Sequence, residues 1–261
     1  MRAAASFSLD SGSWGRAARR QAASWWYLLH FGAVVLVMAL SPSTYNRTNR
    51  ATTARHIYTS TWQVLPWFTA LTTLLSLVLI RIVVVTALSY GLSQYALQMV
   101  VRVLVLELIP LSAALFVALR AGLTFHAGAV NSASLGSDNF TERLRVQWVP
   151  RVLADAFSVL TLTMVSSVIA LVLAYLTVYG LSPWGLSGYT RTVGQVFDLA
   201  ISLGFALKTV FFSLAVAVVP MAASLEAPDQ SDSASAVQPG AVRLFLVLLL
   251  IETASLAVKY I

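Results

Sequence analysis

The chain has 261 residues, of which 58% are hydrophobic and 10% charged, against about 25% charged in a soluble domain. That balance argues against a soluble globular enzyme and predicts an all-α polytopic membrane protein. The 17 Lys and Arg outnumber the 10 Asp and Glu, but the arginines cluster in connections flanking apolar runs, which fits orientation in a bilayer and not nucleic-acid binding.

The absence of cysteine excludes disulfides and thiol chemistry. The three histidines, His30, His56 and His126, show no metal-ligand spacing, so no metal site is expected.

Residues 1–24 are polar and basic, with Arg2, Arg16, Arg19 and Arg20, and are not read as a cleavable signal. Residues 25–40 are apolar, but sixteen residues at about 1.5 Å each reach roughly 24 Å, short of the about 30 Å hydrocarbon core. Either they form a short tilted span, or they lie in the interface with Trp25, Trp26 and Tyr27 at headgroup level. Charge favours the second reading. Arg47, Arg50 and Arg55 follow this segment, and only an interfacial helix keeps both basic stretches on one side. Residues 1–61 are therefore read as a basic N-terminal segment with an interfacial amphipathic helix, and residues 62–261 as the membrane domain.

Five transmembrane helices are expected there, at about 62–87, 99–122, 152–179, 196–220 and 242–258. The first holds Arg81, either snorkelling or facing a helix partner. A nearly uncharged turn around 90–98 leads to the second. The polar connection 123–151 carries Arg143, Arg145 and Arg151, and its 139–148 stretch reads as a short amphipathic helix capped by Ser137 or Asp138. A short Gly-, Ser- and Pro-rich turn at 180–195 precedes the fourth span, and the linker 221–241 is acidic and disordered in composition. With the N-terminus cytoplasmic, the basic 123–151 connection also falls inside.

The chemistry-bearing stretch is 101–128. Glu107 sits near the middle of an apolar run with Pro110 three residues on, and an intramembrane carboxylate either lines a wet cavity or closes an internal pair. Lys208, mid-way along the fourth span, and Arg102 are the candidate partners. The bland reading of Lys208 is a structural or snorkelling lysine, and that of Arg120 a positive-inside anchor at the end of span two.

Glu107-Leu108-Ile109-Pro110, then Leu119-Arg120-Ala121-Gly122, resemble the E-L-G-P and G/A-R-x-G elements of the MlaE/YrbE-type permease family, the membrane subunits of MCE-protein lipid ABC transporters. The Val149-Pro150-Arg151 start of span three and Lys208-Thr209-Val210 with Phe212 match two further family elements in order. The resemblance covers about residues 55–220. Ile109 replaces the motif's glycine, and the connection after span two lacks the family's Glu- and Gln-rich coupling helix.

The resemblance implies a permease subunit of the bacterial inner membrane that moves phospholipid or another hydrophobic substrate toward an MCE-domain protein. ATP would be used by a separate cytoplasmic ABC ATPase, with no cofactor in this chain, and a second permease copy or related chain would complete the membrane unit. It also implies that Leu79, Tyr90 and Leu108 join Glu107 around lipid, and that Thr141, Glu142, Arg143 and Leu144 form what remains of the ATPase-coupling loop. The alternative is a transport-inactive, anchoring subunit of the same kind of complex, to which the altered loop points. An intramembrane enzyme is disfavoured, because no nucleophile–base or paired-Asp set recurs on the spans.

The topology is directly testable. A cysteine placed at Ser137 is expected to resist impermeant thiol reagents in intact cells, whereas one at Ser187 reacts. Reaction at both positions contradicts five spans, and the cysteine-free chain gives no background.

Overall fold

The computed structural model describes residues 47–132, 149–226 and 233–260, together with His30, Gly32, Ala33, Val34 and Val37. Of the expected interfacial helix only those last five residues are described, and all are helical. Gly32 lies against the fourth span: a Cβ there would stand 3.1 Å from the Val218 side chain. The expected helix at 139–148 and the coupling residues Thr141, Glu142, Arg143 and Leu144 fall outside the described residues.

Helix α1, Arg47–Ser89, runs unbroken from the basic N-terminal segment through the first span. It ends where Gly91 adopts a positive φ of 70°, which lets the Leu92 N–H donate to the Ala87 carbonyl at 2.8 Å and turns the chain back. Helix α2, Ser93–Val100, passes into a π-helix at Val101–Leu108 and then α3, Ile109–Ser132. Span two is thus one continuous rod with a widened central section. Helix α4, Val149–Tyr179, starts with Pro150 in its first turn, where no amide donor is required. A 3-10 turn at Pro183–Gly185 leads to α5, Leu186–Val196, followed by α6, Leu199–Glu226, and α7, Ser233–Tyr260.

Five helical stretches are long and apolar enough to cross a membrane: Thr61–Ser89, Tyr95–Ala121, Val149–Tyr179, Leu199–Ala222 and Gly240–Lys259. They match the expected spans to within a few residues. No strand occurs among the described residues, because nothing but a helix or a closed barrel satisfies its backbone in hydrocarbon. Two connections are shorter than expected. Helix α3 extends to Ser132, ten residues into the expected 123–151 loop, and α7 begins at Ser233, inside the expected 221–241 linker.

Successive spans alternate in direction, so two apolar clusters stack along the bundle. One joins Phe68, Val117, Leu162, Phe212 and Leu248 on the side of the 133–148 connection. The other joins Ile80, Val101, Leu104, Ala170 and Val196 on the side of the Gly91 turn, called here the turn side.

Helix α4 is the central post, packed along α1, α3 and α6. Its buried face repeats every four residues: Ala154, Ser158, Leu162, Ser166, Ala170, Ala174. Small residues at helical spacing let backbones approach closely, the main source of helix association where apolar solvent surrounds apolar side chains. Thr61 and Ser158 bridge α1 to α4 at 3.0 Å. Ser158 gives its own proton to the Ala154 carbonyl, which makes Thr61 the donor across the interface.

The expected 180–195 turn proves to hold α5. Tyr189, Val193 and Val196 fall at i, i+4 and i+7, and this stripe packs on the turn-side cluster, while Thr190, Arg191 and Gln195 face out. Tertiary burial of that stripe overrides the helix-weakening glycines Gly188 and Gly194. Burial pushes the Tyr189 phenol up to about 12, so it stays protonated at neutral pH and donates to the Leu171 carbonyl at 2.8 Å.

The α4 seam yields a packing prediction. Ala170 is fully buried and Val172 is 53% exposed. Ala170→Leu is expected to cost about 1–3 kcal/mol by overpacking, whereas Val172→Leu changes little. Thermal unfolding of the two variants in one detergent is the check, and equal midpoints would contradict the seam.

Candidate functional site

The site begins with a backbone problem. Pro110 has no N–H, so it can serve neither the Val105 carbonyl, in π register, nor the Leu106 carbonyl, in α register. The π run accordingly ends there, its last turn closed by the Ile109 N–H on the Leu104 carbonyl. The Leu106 carbonyl is taken by a side chain from another span: the Lys208 ammonium of α6 reaches it at 3.4 Å.

Lys208 is almost wholly buried, with 2% of its side chain exposed, and has three donors to place. Besides Leu106 O, it donates to Glu107 Oε2 and lies 2.7 Å from Glu252 Oε2 on α7. Its charge also sits 5.6 Å from the centre of the Phe212 ring.

The second oxygen of Glu107, Oε1, accepts from Lys259 Nζ at 2.9 Å. Glu252 and Lys259 are seven residues apart, so they share one face of α7. The result is a chain of alternating charge, Lys259–Glu107–Lys208–Glu252, that ties spans two, four and five and sums to zero.

Of the two expectations for Glu107, the pairing one is present in the structure, with Lys208 as the partner and Arg102 not. Lys259 and Glu252 were missed by sequence reasoning. Their signal was a carboxylate and a lysine at i and i+7 in an otherwise apolar final helix. The quartet is not sealed: 15% of Glu107, 12% of Glu252 and 16% of Lys259 remain exposed around the buried Lys208. An edge of it is therefore open to a neighbouring molecule, which the ammonium at its centre is not.

The other candidates are spread over the bundle. Leu79 packs against the turn-side cluster beside the π-helix. Tyr90, at the turn, is 76% exposed, and Leu108, next to Glu107, is 38% exposed. Both lie on the outside of the single chain. Arg81 is also exposed, and no helix among the described residues covers it. Arg120 lies far from the quartet, towards the opposite end of span two, where it donates to Gln63 of α1 at 3.4 Å. Its charge and that of Arg151 act on Asp155 of α4, a carboxylate that sequence reasoning did not single out. This second cluster fastens spans one, two and three at the end where the 133–148 connection leaves and returns.

Five crossing helices with a compensated charge network inside the bundle define a multi-pass membrane protein whose polar interior is built between spans. The Permease MlaE family matches residues 53–258, a region that takes in the first four spans, the fifth up to its last residue, and Glu107, Lys208 and Glu252 of the quartet, with Lys259 one residue beyond it. The chain belongs to the Permease MlaE family, and as such is a membrane permease subunit of a lipid transporter. No curated protein matches the chain.

The quartet makes a stability prediction. Lys208→Met leaves Glu252 without its base and is expected to destabilise the bundle by about 3–5 kcal/mol, the range for breaking a buried pair from one side. Adding Glu252→Gln restores neutrality and recovers part of the loss. Thermal unfolding of the single and double variants in detergent measures this, and a double variant no more stable than Lys208→Met would contradict charge compensation.

Proposed function

We propose that this chain is the transport-competent permease of an ABC-type lipid transporter in the bacterial inner membrane, with its N-terminus cytoplasmic. On this reading it passes phospholipid or another hydrophobic lipid between that membrane and an MCE-domain protein. A separate ABC ATPase docks on the 133–148 connection, and a second permease copy or related chain faces this one.

The observation that carries the reading is the quartet with its open edge. Three spans meet at charges that compensate one another, so a span can separate only if something else supplies the missing counter-charge or hydrogen bonds. A lipid headgroup offers both. The exposed apolar positions beside it, including Leu108 and Val103, offer its acyl chains a surface continuous with the bilayer. Glu107 and Lys259 form the outermost link, and Lys208 stays inside to hold the remaining pair. Family membership supports the partners, and the cluster of Arg120, Arg151 and Asp155 next to the connection offers a mechanical route from a docked ATPase to span two.

The experiment is reconstitution of the chain with its ATPase in lipid nanodiscs, following transfer of a fluorescent phospholipid to a soluble MCE-domain acceptor. Transfer is expected to require ATP. It should fall by about tenfold, the factor given by ~1.4 kcal/mol, in Lys259→Gln, where Lys208 still holds Glu107 and Glu252. A folded complex that hydrolyses ATP but transfers no lipid would favour the anchoring subunit instead, the reading to which the altered coupling loop points.

A further inference from the structure

The five spans contain three carboxylates, Glu107, Asp155 and Glu252, and each already faces a base of the same chain. Two arginines on the turn-side half of the first hairpin stand apart from these clusters. Arg81 and Arg102 are both exposed, and neither side chain has an ion pair or hydrogen bond among the described residues. An uncompensated guanidinium at the surface of a membrane span is costly, so it must meet an anion or reach water.

Depth decides what it reaches. Arg81 lies eight residues before Ser89, and Arg102 nine after Ser93, so both sit roughly 12–13 Å along the helix from the turn. Span one has 29 residues, roughly 43 Å, against an about 30 Å hydrocarbon core, so its ends stand roughly 6 Å beyond the hydrocarbon if it is centred. The two Cα atoms then lie roughly 6 Å inside the hydrocarbon boundary, a depth that an extended arginine spans. Tyr90 and Tyr95, 76% and 46% exposed, mark the headgroup level just above.

In a second copy of this chain the carboxylates of the spans already face bases of their own, which makes them poor counter-ions for these arginines. At the same end, Asp198 is occupied in capping α6 through the Leu199 N–H at 2.8 Å. The anions available at that depth are lipid phosphates.

We propose that Arg81 and Arg102 form an anionic-lipid binding surface on the outside of the first hairpin, each drawing a headgroup phosphate of the turn-side leaflet towards the bundle. This surface is separate from the quartet, whose charges compensate one another. It holds lipid against spans one and two whether or not the chain transports, and it favours lipids with net negative headgroups over zwitterionic ones, whose own ammonium competes for the phosphate.

The test uses the full chain reconstituted in vesicles of equimolar phosphatidylcholine and phosphatidylglycerol, then extracted into mild detergent, with retained lipids counted by native mass spectrometry. The wild-type chain is expected to retain phosphatidylglycerol in preference. The preference should fall by about fivefold for each arginine replaced by Gln, the factor carried by one basic side chain near an anionic lipid surface. The Arg81→Lys/Arg102→Lys variant keeps the charge and should keep the preference, and unfolding midpoints show that all variants are folded. Equal retention of the two lipids by the wild-type chain overturns the proposal, as does an undiminished preference in Arg81→Gln/Arg102→Gln or a lost one in the Lys variant. The counter-charge would then have to come from a carboxylate of a different membrane partner.

Discussion

Alternation of charge inside hydrocarbon is the constraint on which the rest of this structure depends. Lys208 has no route to water, so every one of its donors must end on an oxygen supplied by the protein: Glu107, Glu252 and the Leu106 carbonyl. Each acid then needs the rest of its charge compensated, which brings Lys259 to the free oxygen of Glu107. Four side chains from three spans are fixed by this single requirement. Any model of the bundle that slid α7 by one turn, about 5.4 Å, would leave charges unpaired at a cost far above that of rearranged apolar packing. Apolar contacts hold the spans together, and charge sets their register.

The backbone of span two serves the same end. Pro110 removes an amide donor near mid-span, and the widened π section before it accommodates the loss by changing hydrogen-bond register. What it leaves over, a carbonyl, becomes an acceptor for an ammonium from the neighbouring span. A proline three residues after the glutamate is thus more than a kink. It presents an oxygen and a carboxylate side by side, and a lysine can use both.

Charge away from the quartet is distributed by end. Arg120, Arg151 and Asp155 gather three spans next to the 133–148 connection, whereas the quartet and the two exposed arginines, Arg81 and Arg102, lie in the half of the bundle towards the turn. A force applied at the connection would therefore act on span two through Arg120 and arrive, along one continuous helix, at Glu107. The closely packed α4 seam gives that rod a rigid post to move against. The proposed function draws on a stiff scaffold and one compensated polar junction with an open edge, and it puts the partner's docking at the connection on the opposite end.

The number, length and alternation of the spans were legible in the sequence, because a twenty-residue apolar run in lipid has essentially one solution. Glu107 and Lys208 were legible as outliers for the same reason: charge stands out against a long apolar background. Their pairing was an open alternative to cavity lining, since residues 101 positions apart in sequence carry no information on which faces meet. Glu252 and Lys259 share a helix face by spacing alone, yet only the packing of α7 against α3 and α6 turns that face inward. Helix α5 shows the opposite balance. Its apolar stripe was present at Tyr189, Val193 and Val196, but Gly188 just before it and Gly194 within it made it read as a turn until the turn-side cluster was there to bury it. The sequence by itself determined that this is a polytopic membrane protein with five runs after residue 60 long and apolar enough to cross a bilayer, and that isolated charges fall within them. Tertiary structure decided which of those charges cancel and which face lipid, because in a low-dielectric medium the energy of a charge depends on the few ångströms around it and not on its place in the chain.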